Sequence, residues 1–253
     1  MAKVNSIIAL KGTVGGLNFY KRKGVLLART AGGGFNGEDI RTKASMQRVR
    51  ENGSEFRGCV QTVQFFKMGL QPFLSTFKDG TLHQRLVSLF TKIKKEDVLA
   101  VRGLRTVFGG LQTTAGQGLL KNYLLTSGSR LEGILRQTVV FDWASGLSLP
   151  DFEGQRVSFP AGATHLSLQI GYLSLDFENS TSSFGSSETV YLNPATVGTL
   201  VIPAPAPVAA GDVTVGVVLA RFVQEVNGEF YPLRNEQNVV LEVLGLGVVS
   251  FGL

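Results

Sequence analysis

From Ile40 to about Ile93 apolar residues return every three or four positions. Phe56, Val60, Val63, Phe66, Leu70, Leu74 and Phe77 fall on one face of a helix. Gly69 and Pro72 predict a kink or a break in it. Asp79-Gly80 then marks a turn before a second helix. Its inward face is Leu82, Leu86, Leu89, Phe90 and Ile93, and its outward face Arg85, Lys92, Lys94 and Lys95. A third, short helix is expected from Gly118 to Leu125.

On either side of this stretch the period is that of strands. Residues 4–30 read as a β-hairpin or small sheet. Ile7–Leu10 leads through Lys11–Gly16 to Leu17–Tyr20, and Lys21–Gly24 turns the chain back into Val25–Arg29. Gly32, Gly33, Gly34 and Gly37 form a flexible connector. Beyond Gln137 the expected strands are Val139–Phe141, Arg156–Phe159, His165–Ile170, Thr189–Leu192, Thr199–Ile202, Val213–Val223 and Val239–Val249. Gly, Pro, Asn and Ser clusters separate them at a spacing that suits a sandwich. The run Pro203-Ala204-Pro205-Ala206-Pro207 belongs on an edge or in a loop. Asn227-Gly228 between apolar pairs signals a two-residue hairpin. The fold class expected is α+β: an N-terminal β-hairpin arm and helical region followed by an antiparallel β-sandwich, Ig-like or jelly-roll-like. The divisions are an arm and Gly-rich linker at 1–37, a basic helical region at 38–136 and an acidic β-sandwich at 137–253.

Charge sharpens this division. Residues 1–140 carry 22 Lys and Arg against 8 Asp and Glu, whereas residues 141–253 carry 3 against 11. Such asymmetry predicts two surfaces with different partners, or an acidic face of one subunit meeting a basic face of the next. Charged residues make up 17% of the chain, below the usual share of about a quarter, and there are 31 glycines. A chain of that kind commonly hides surface against other chains. The single cysteine, Cys59, rules out an intramolecular disulfide and reads as a small buried hydrophobe among Phe56, Val60 and Val63. The N-terminus lacks the apolar core of a secretory signal, and no 18-residue apolar run predicts a membrane span. Synthesis in the cytoplasm without a signal peptide is therefore expected.

Candidate chemistry is sparse. With His83, His165 and Cys59 the soft ligands cannot make a structural zinc site. Gly12-x-x-Gly15-Gly16 and Gly32-Gly33-Gly34 are not placed between a buried strand and a helix, so they read as turns and linker and not as phosphate loops. Asp151/Glu153 and Asp176/Glu178 are spaced to share a strand face, which is expected to be solvated. Trp143 beside Phe141 reads as a core aromatic. The basic residues stand out: Lys21, Arg22 and Lys23 in a turn, and Arg41, Lys43, Arg48, Arg50 and Arg57 along the first helix. They are the expected site of contact with a neighbouring subunit or with nucleic acid. No catalytic constellation, cofactor or metal is expected.

The segment from Lys11 to Lys21, with Ala28-Arg29, Gly32-Gly33 and Arg48-Val49-Arg50-Glu51-Asn52-Gly53-Ser54-Glu55-Phe56, resembles a family of uncharacterised proteins from Bacteroidota and their phages or mobile elements. Its members begin with a Lys-Gly-Thr-x-Gly hairpin, carry an Arg-x-Arg-Glu-Asn-x-x-Glu-Phe helix and end in a β domain. Phe222 to Leu233 is similar to that family's last hairpin. The resemblance implies no enzymatic activity and a phage-borne or domesticated structural role. The expected function is a self-assembling subunit of a virion, tail or filament, its partner a second copy of itself. The alternatives are a nucleic-acid-binding accessory protein and a surface- or carbohydrate-binding β-sandwich resting on Trp143, Tyr172, Tyr191 and Tyr231.

Overall fold

The computed structural model describes residues 2–3, 10–22, 24–32, 36–233 and 238–249. Helices and antiparallel sheets make it an α+β chain. Its contacts divide it into two units, Met1–Arg50 and Glu51–Leu253.

In the first unit β1 (Ala2–Lys3), β2 (Gly12–Val14), β3 (Leu17–Arg22) and β4 (Val25–Thr30) form one sheet in the order β1-β4-β3-β2. Gly15 and Gly16, with φ of 55° and 78°, join β2 to β3. That is the left-handed two-residue connection that matches the twist of hairpin strands. The second reversal is equally tight, so Lys21 and Arg22 belong to a strand and not to the expected turn. The expected strand at Ile7–Leu10 lies, apart from Leu10, outside the described residues. Gly37 is not connector: it opens α1 (Gly37–Thr42), where the Asn36 side chain accepts from the Glu38 amide at 3.0 Å.

The second unit carries α2 (Gln47–Gly69, entering from the first unit), α3 (Gln71–Leu74), α4 (Leu82–Ile93), α5 (Val107–Leu111), α6 (Thr114–Leu120) and α7 (Leu131–Leu135). The first helix of the sequence pattern is thus interrupted at Gly69 and Pro72, as expected. At Gly69 a Cβ would overlap Leu173 Cδ1 and stand 2.8 Å from Ser182 Oγ, so the backbone itself approaches the sheet. All five inward positions expected of α4 are buried. The third helix begins four residues earlier than expected, at Thr114, because Thr113 caps it.

The strands are β5 (Val140–Asp142), β6 (Gly146–Glu153), β7 (His165–Asp176), β8 (Thr181–Ser186), β9 (Val190–Leu192), β10 (Val197–Ile202), β11 (Val213–Val226), β12 (Glu229–Pro232) and β13 (Val239–Val248). β10, β6 and β5 form a three-stranded sheet in that order. The larger sheet is built on the β7–β11 pair, in register from Val213↔Leu175 to Val223↔His165. β12 and β13 share the far edge of β11, and β8 and β9 share that of β7. Asn227 and Gly228 make the expected hairpin turn, with φ of 54° and 83°. The expected strand Arg156–Phe159 is absent; Gly154–Arg156 is a 3-10 turn tied down by the Gly154 amide on Thr196 O at 2.8 Å.

Strict alternation along the central pair gives the larger sheet two apolar faces. Leu173, Leu175, Val213, Val215, Val217 and Leu219 join one hydrophobic cluster with α2, α4 and α5. Leu166, Leu168, Ile170, Val218, Ala220 and Phe222 join a second with Leu147, Leu149 and Phe152 of β6 and Ile202 of β10. The boundary expected at residue 137 is therefore not where contacts divide. Helices and sheet share a core across it, and the division falls at Arg50/Glu51.

Candidate functional site

The eight expected basic residues do not form one cluster. Lys21 and Arg22 are exposed on β3, and Lys23 lies outside the described residues. Arg41 pairs with Glu38 at 2.5 Å and Lys43 with Asp39 at 2.8 Å, both within one turn of α1. Arg50 donates to the carbonyls of Ile40 and Lys43 at 2.6 and 2.9 Å, holding the turn between α1 and α2. Arg48 is exposed on α2. Three of the cations therefore serve local structure; the two pairs on α1 follow helical spacing, whereas the Arg50 contacts do not. Arg57 is the exception, standing in the second unit at the wall of a cavity.

That cavity has a volume of about 660 Å³. Successive turns of α2 supply one wall through Gly58 and Phe65, the segment 103–108 supplies another, and the turn after β7 closes it with Phe177 and Glu178. Phe177 packs edge-on against Phe65 at 5.3 Å and stacks on Phe108 at 5.2 Å, so the floor is aromatic. Beneath it lies a buried ion pair. Lys94, expected on an outward face, instead reaches Glu55, and Glu55 also accepts the Gly103 amide at 2.7 Å. Burial pushes the Glu55 carboxyl up; the bonds from Lys94 and Gly103, with the charges of Lys94 and Arg105, outweigh it and hold the group below the ordinary glutamate range. Burial also pushes the Cys59 thiol up, which keeps it protonated and inert, in line with the expected hydrophobic role.

Arg105 is the residue that sequence reasoning missed. It is half-buried and lines the cavity. Its Nε is sealed from solvent and has no hydrogen-bond partner among the described residues. No periodicity points to it, since it lies in a loop between helices.

The other candidates have structural roles. Asp176 does not share a face with Glu178. It closes a turn by accepting from Asn179 at 2.8 and 2.7 Å, which lowers its pKa, and Glu178 lies beyond the strand. Asp151 and Glu153 are exposed, with Asp151 at φ 47° where β6 and β10 lose register. Trp143 is 36% exposed, not core. It lies over Gly216, Gly245 and Gly247 beside Phe141, its carbonyl accepting from Tyr172 at 2.7 Å. Tyr191 stacks on Phe230 at 3.8 Å, and His165 meets that ring edge-on at 5.0 Å. Among the described residues no helix is long and apolar enough to cross a membrane.

No protein-family model, curated protein or solved structure matches this chain.

Proposed function

We propose that this chain is a structural subunit that assembles with copies of itself through its first unit. The observation that carries the reading is the poverty of that unit's core. Among its described residues Ala28 is the one buried hydrophobic side chain, while Val14, Leu17 and Val25 of the same sheet are 59%, 42% and 37% exposed. A small sheet with open edges and so little core depends on cover from elsewhere. Charge names the cover. Residues 1–50 hold ten Lys and Arg against two Asp and Glu, whereas residues 51–253 hold 15 against 17, with the acids concentrated in the β region. A second copy offers the acidic partner for the basic sheet.

A virion, tail or filament is the kind of assembly this reading favours, in keeping with the family resemblance. The finer description of the second unit as a β-sandwich, Ig-like or jelly-roll-like, rests on the core its two sheets share. Light scattering after size exclusion, with negative-stain microscopy, tests the proposal on the full chain and on a variant lacking residues 2–34. The full chain is expected to form regular oligomers that loosen as salt rises, and the variant to be a folded monomer. Unchanged assembly of the variant defeats the reading. Oligomers that carry nucleic acid and dissolve on nuclease treatment would transfer it to a nucleic-acid-binding protein.

A further inference from the structure

We infer that the cavity beside α2 binds a small organic anion with an aromatic body. Its volume of about 660 Å³ falls within the range of small-molecule sites, roughly 300–1,000 Å³. Two features of its wall bear on what the space can take.

The first is Gly58. Glycine weakens the interior of a helix; on α2 it has a packing reason at Gly69, whereas at Gly53 and Gly58 a Cβ would meet nothing within 4 Å. Of these two, Gly58 lines the cavity. A larger side chain at Gly58 would therefore project into the space that the cavity occupies.

The second is Arg105. Arg105 is half-buried, lines the cavity and makes no hydrogen bond or ion pair among the described residues, so its guanidinium is uncommitted. The buried carboxylate below is already committed, since Glu55 serves Lys94 and Gly103. Asp212 likewise accepts the Phe177 amide at 2.8 Å. The planar fork of Arg105 favours a carboxylate, sulfonate or phosphate group on a ligand in that space. Arg57, exposed at the same wall, adds a second cation. Glu178 and Asp212 line the same cavity and hold the balance close to neutral, which selects single negative charges over polyphosphates. Phe65, Phe108 and Phe177 form the apolar surface for the body of such a ligand.

The probe is 1-anilinonaphthalene-8-sulfonate, a single anionic group on an aromatic body, titrated by fluorescence against the native full chain. Saturable binding at one site per chain is expected. Arg105→Gln is expected to weaken it at least about tenfold, the scale of one lost charge-assisted hydrogen bond. Gly58→Leu fills the cavity and is expected to abolish binding. Leu99→Ser, at an exposed aliphatic residue outside the cavity, is expected to leave it unchanged. The neutral analogue N-phenyl-1-naphthylamine should bind more weakly and ignore Arg105→Gln. Equal affinity of Arg105→Gln and the parent chain for the sulfonate overturns the assignment, as does loss of binding in Leu99→Ser. If Gly58→Leu does not fold, Arg105→Gln with the neutral probe decides the matter, because unchanged binding of the neutral probe shows that the cavity survives loss of the Arg105 charge near Glu55.

Discussion

Lys94, at the C-terminal cap of α4, is ion-paired with Glu55 of α2, and both residues are only 7% exposed. The pair fixes more than two helices. Glu55 also takes the Gly103 amide, and Asp97, 4% exposed, takes the amides of Ala100 and Thr106 at 3.1 and 2.9 Å. The two carboxylates thereby pin the loop 97–106 that forms one cavity wall. The same loop presents Val98, Leu99, Val101 and Leu104 to solvent, each at least 69% exposed.

Removing one partner of this pair is expected to cost far more than removing both. Glu55→Leu leaves a buried ammonium and Lys94→Met a buried carboxylate, each an uncompensated charge worth about 3–5 kcal/mol. The double variant replaces the pair with apolar volume and should recover most of that loss. Urea unfolding of the four proteins measures the coupling. Simple additivity of the two single losses would show that the charges do not act as a pair.

The pair also sets an acid limit. The native pKa of Glu55 lies below its ordinary value, so the group binds fewer protons folded than unfolded. Its stabilisation is complete above the unfolded glutamate pKa, about 4.3, and is lost as pH falls from there through the native value. Thermal midpoints are expected to drop below about pH 4 in the parent chain. In the Glu55→Leu/Lys94→Met variant this part of the drop should disappear; an identical pH profile in both proteins rejects the assignment.

What the sequence made legible is what periodicity encodes. The inward face of α4 matches its five expected residues because burial there follows helical spacing with no competing contact. On α2 the same reasoning placed Phe56 inward, yet it is 53% exposed and Glu55 is buried beside it. Lys94 beyond α4 supplies the counter-charge that allows this, and no local pattern announces a partner 39 residues away. β6 and β8 were hidden for another reason. Pro150 and the Ser-rich run from Thr181 to Ser186 read as loop locally, and their pairing with β10 and β7 overrides that. The cavity was least visible of all. Gly58 and Arg105 belong to segments whose own patterns say nothing of the space between them.

Gly58 and Gly69 of α2 should respond oppositely to alanine. Gly69→Ala pushes a methyl group into Leu173 and Ser182 and is expected to destabilise the fold by about 1–3 kcal/mol, as overpacking does. Gly58→Ala meets no atom within 4 Å and should gain the helix propensity of alanine, roughly 0.5–1 kcal/mol. Chemical denaturation reads both. A stabilising Gly69→Ala would mean that α2 and β7 are not in close contact at that point.

The β region is expected not to fold without the helices. A fragment spanning 137–253 keeps every strand of the two sheets in the second unit, together with the cluster between them except for Leu131 and Leu135 of α7. It uncovers the other face of the larger sheet, where Leu173, Leu175, Val213, Val215, Val217, Leu219, Val239, Leu241 and Val243 are buried with the helices. At about 1.5 kcal/mol or more for each side chain returned to water, the nine together forfeit upwards of roughly 13 kcal/mol. Even reduced for a compact unfolded chain, that is comparable with the whole stability of a domain, about 5–15 kcal/mol. Loss of the segment Tyr123–Leu125 adds to it, because Leu125 N–H donates to Leu241 O at 2.7 Å and Val243 N–H to Tyr123 O at 3.0 Å along β13. Fragment 51–253 retains both clusters and should melt in a single cooperative step, whereas 137–253 should aggregate or show no transition by circular dichroism. A cooperative melt of the shorter fragment would prove that the sheets hold themselves together and that the helical face is an accessory to them.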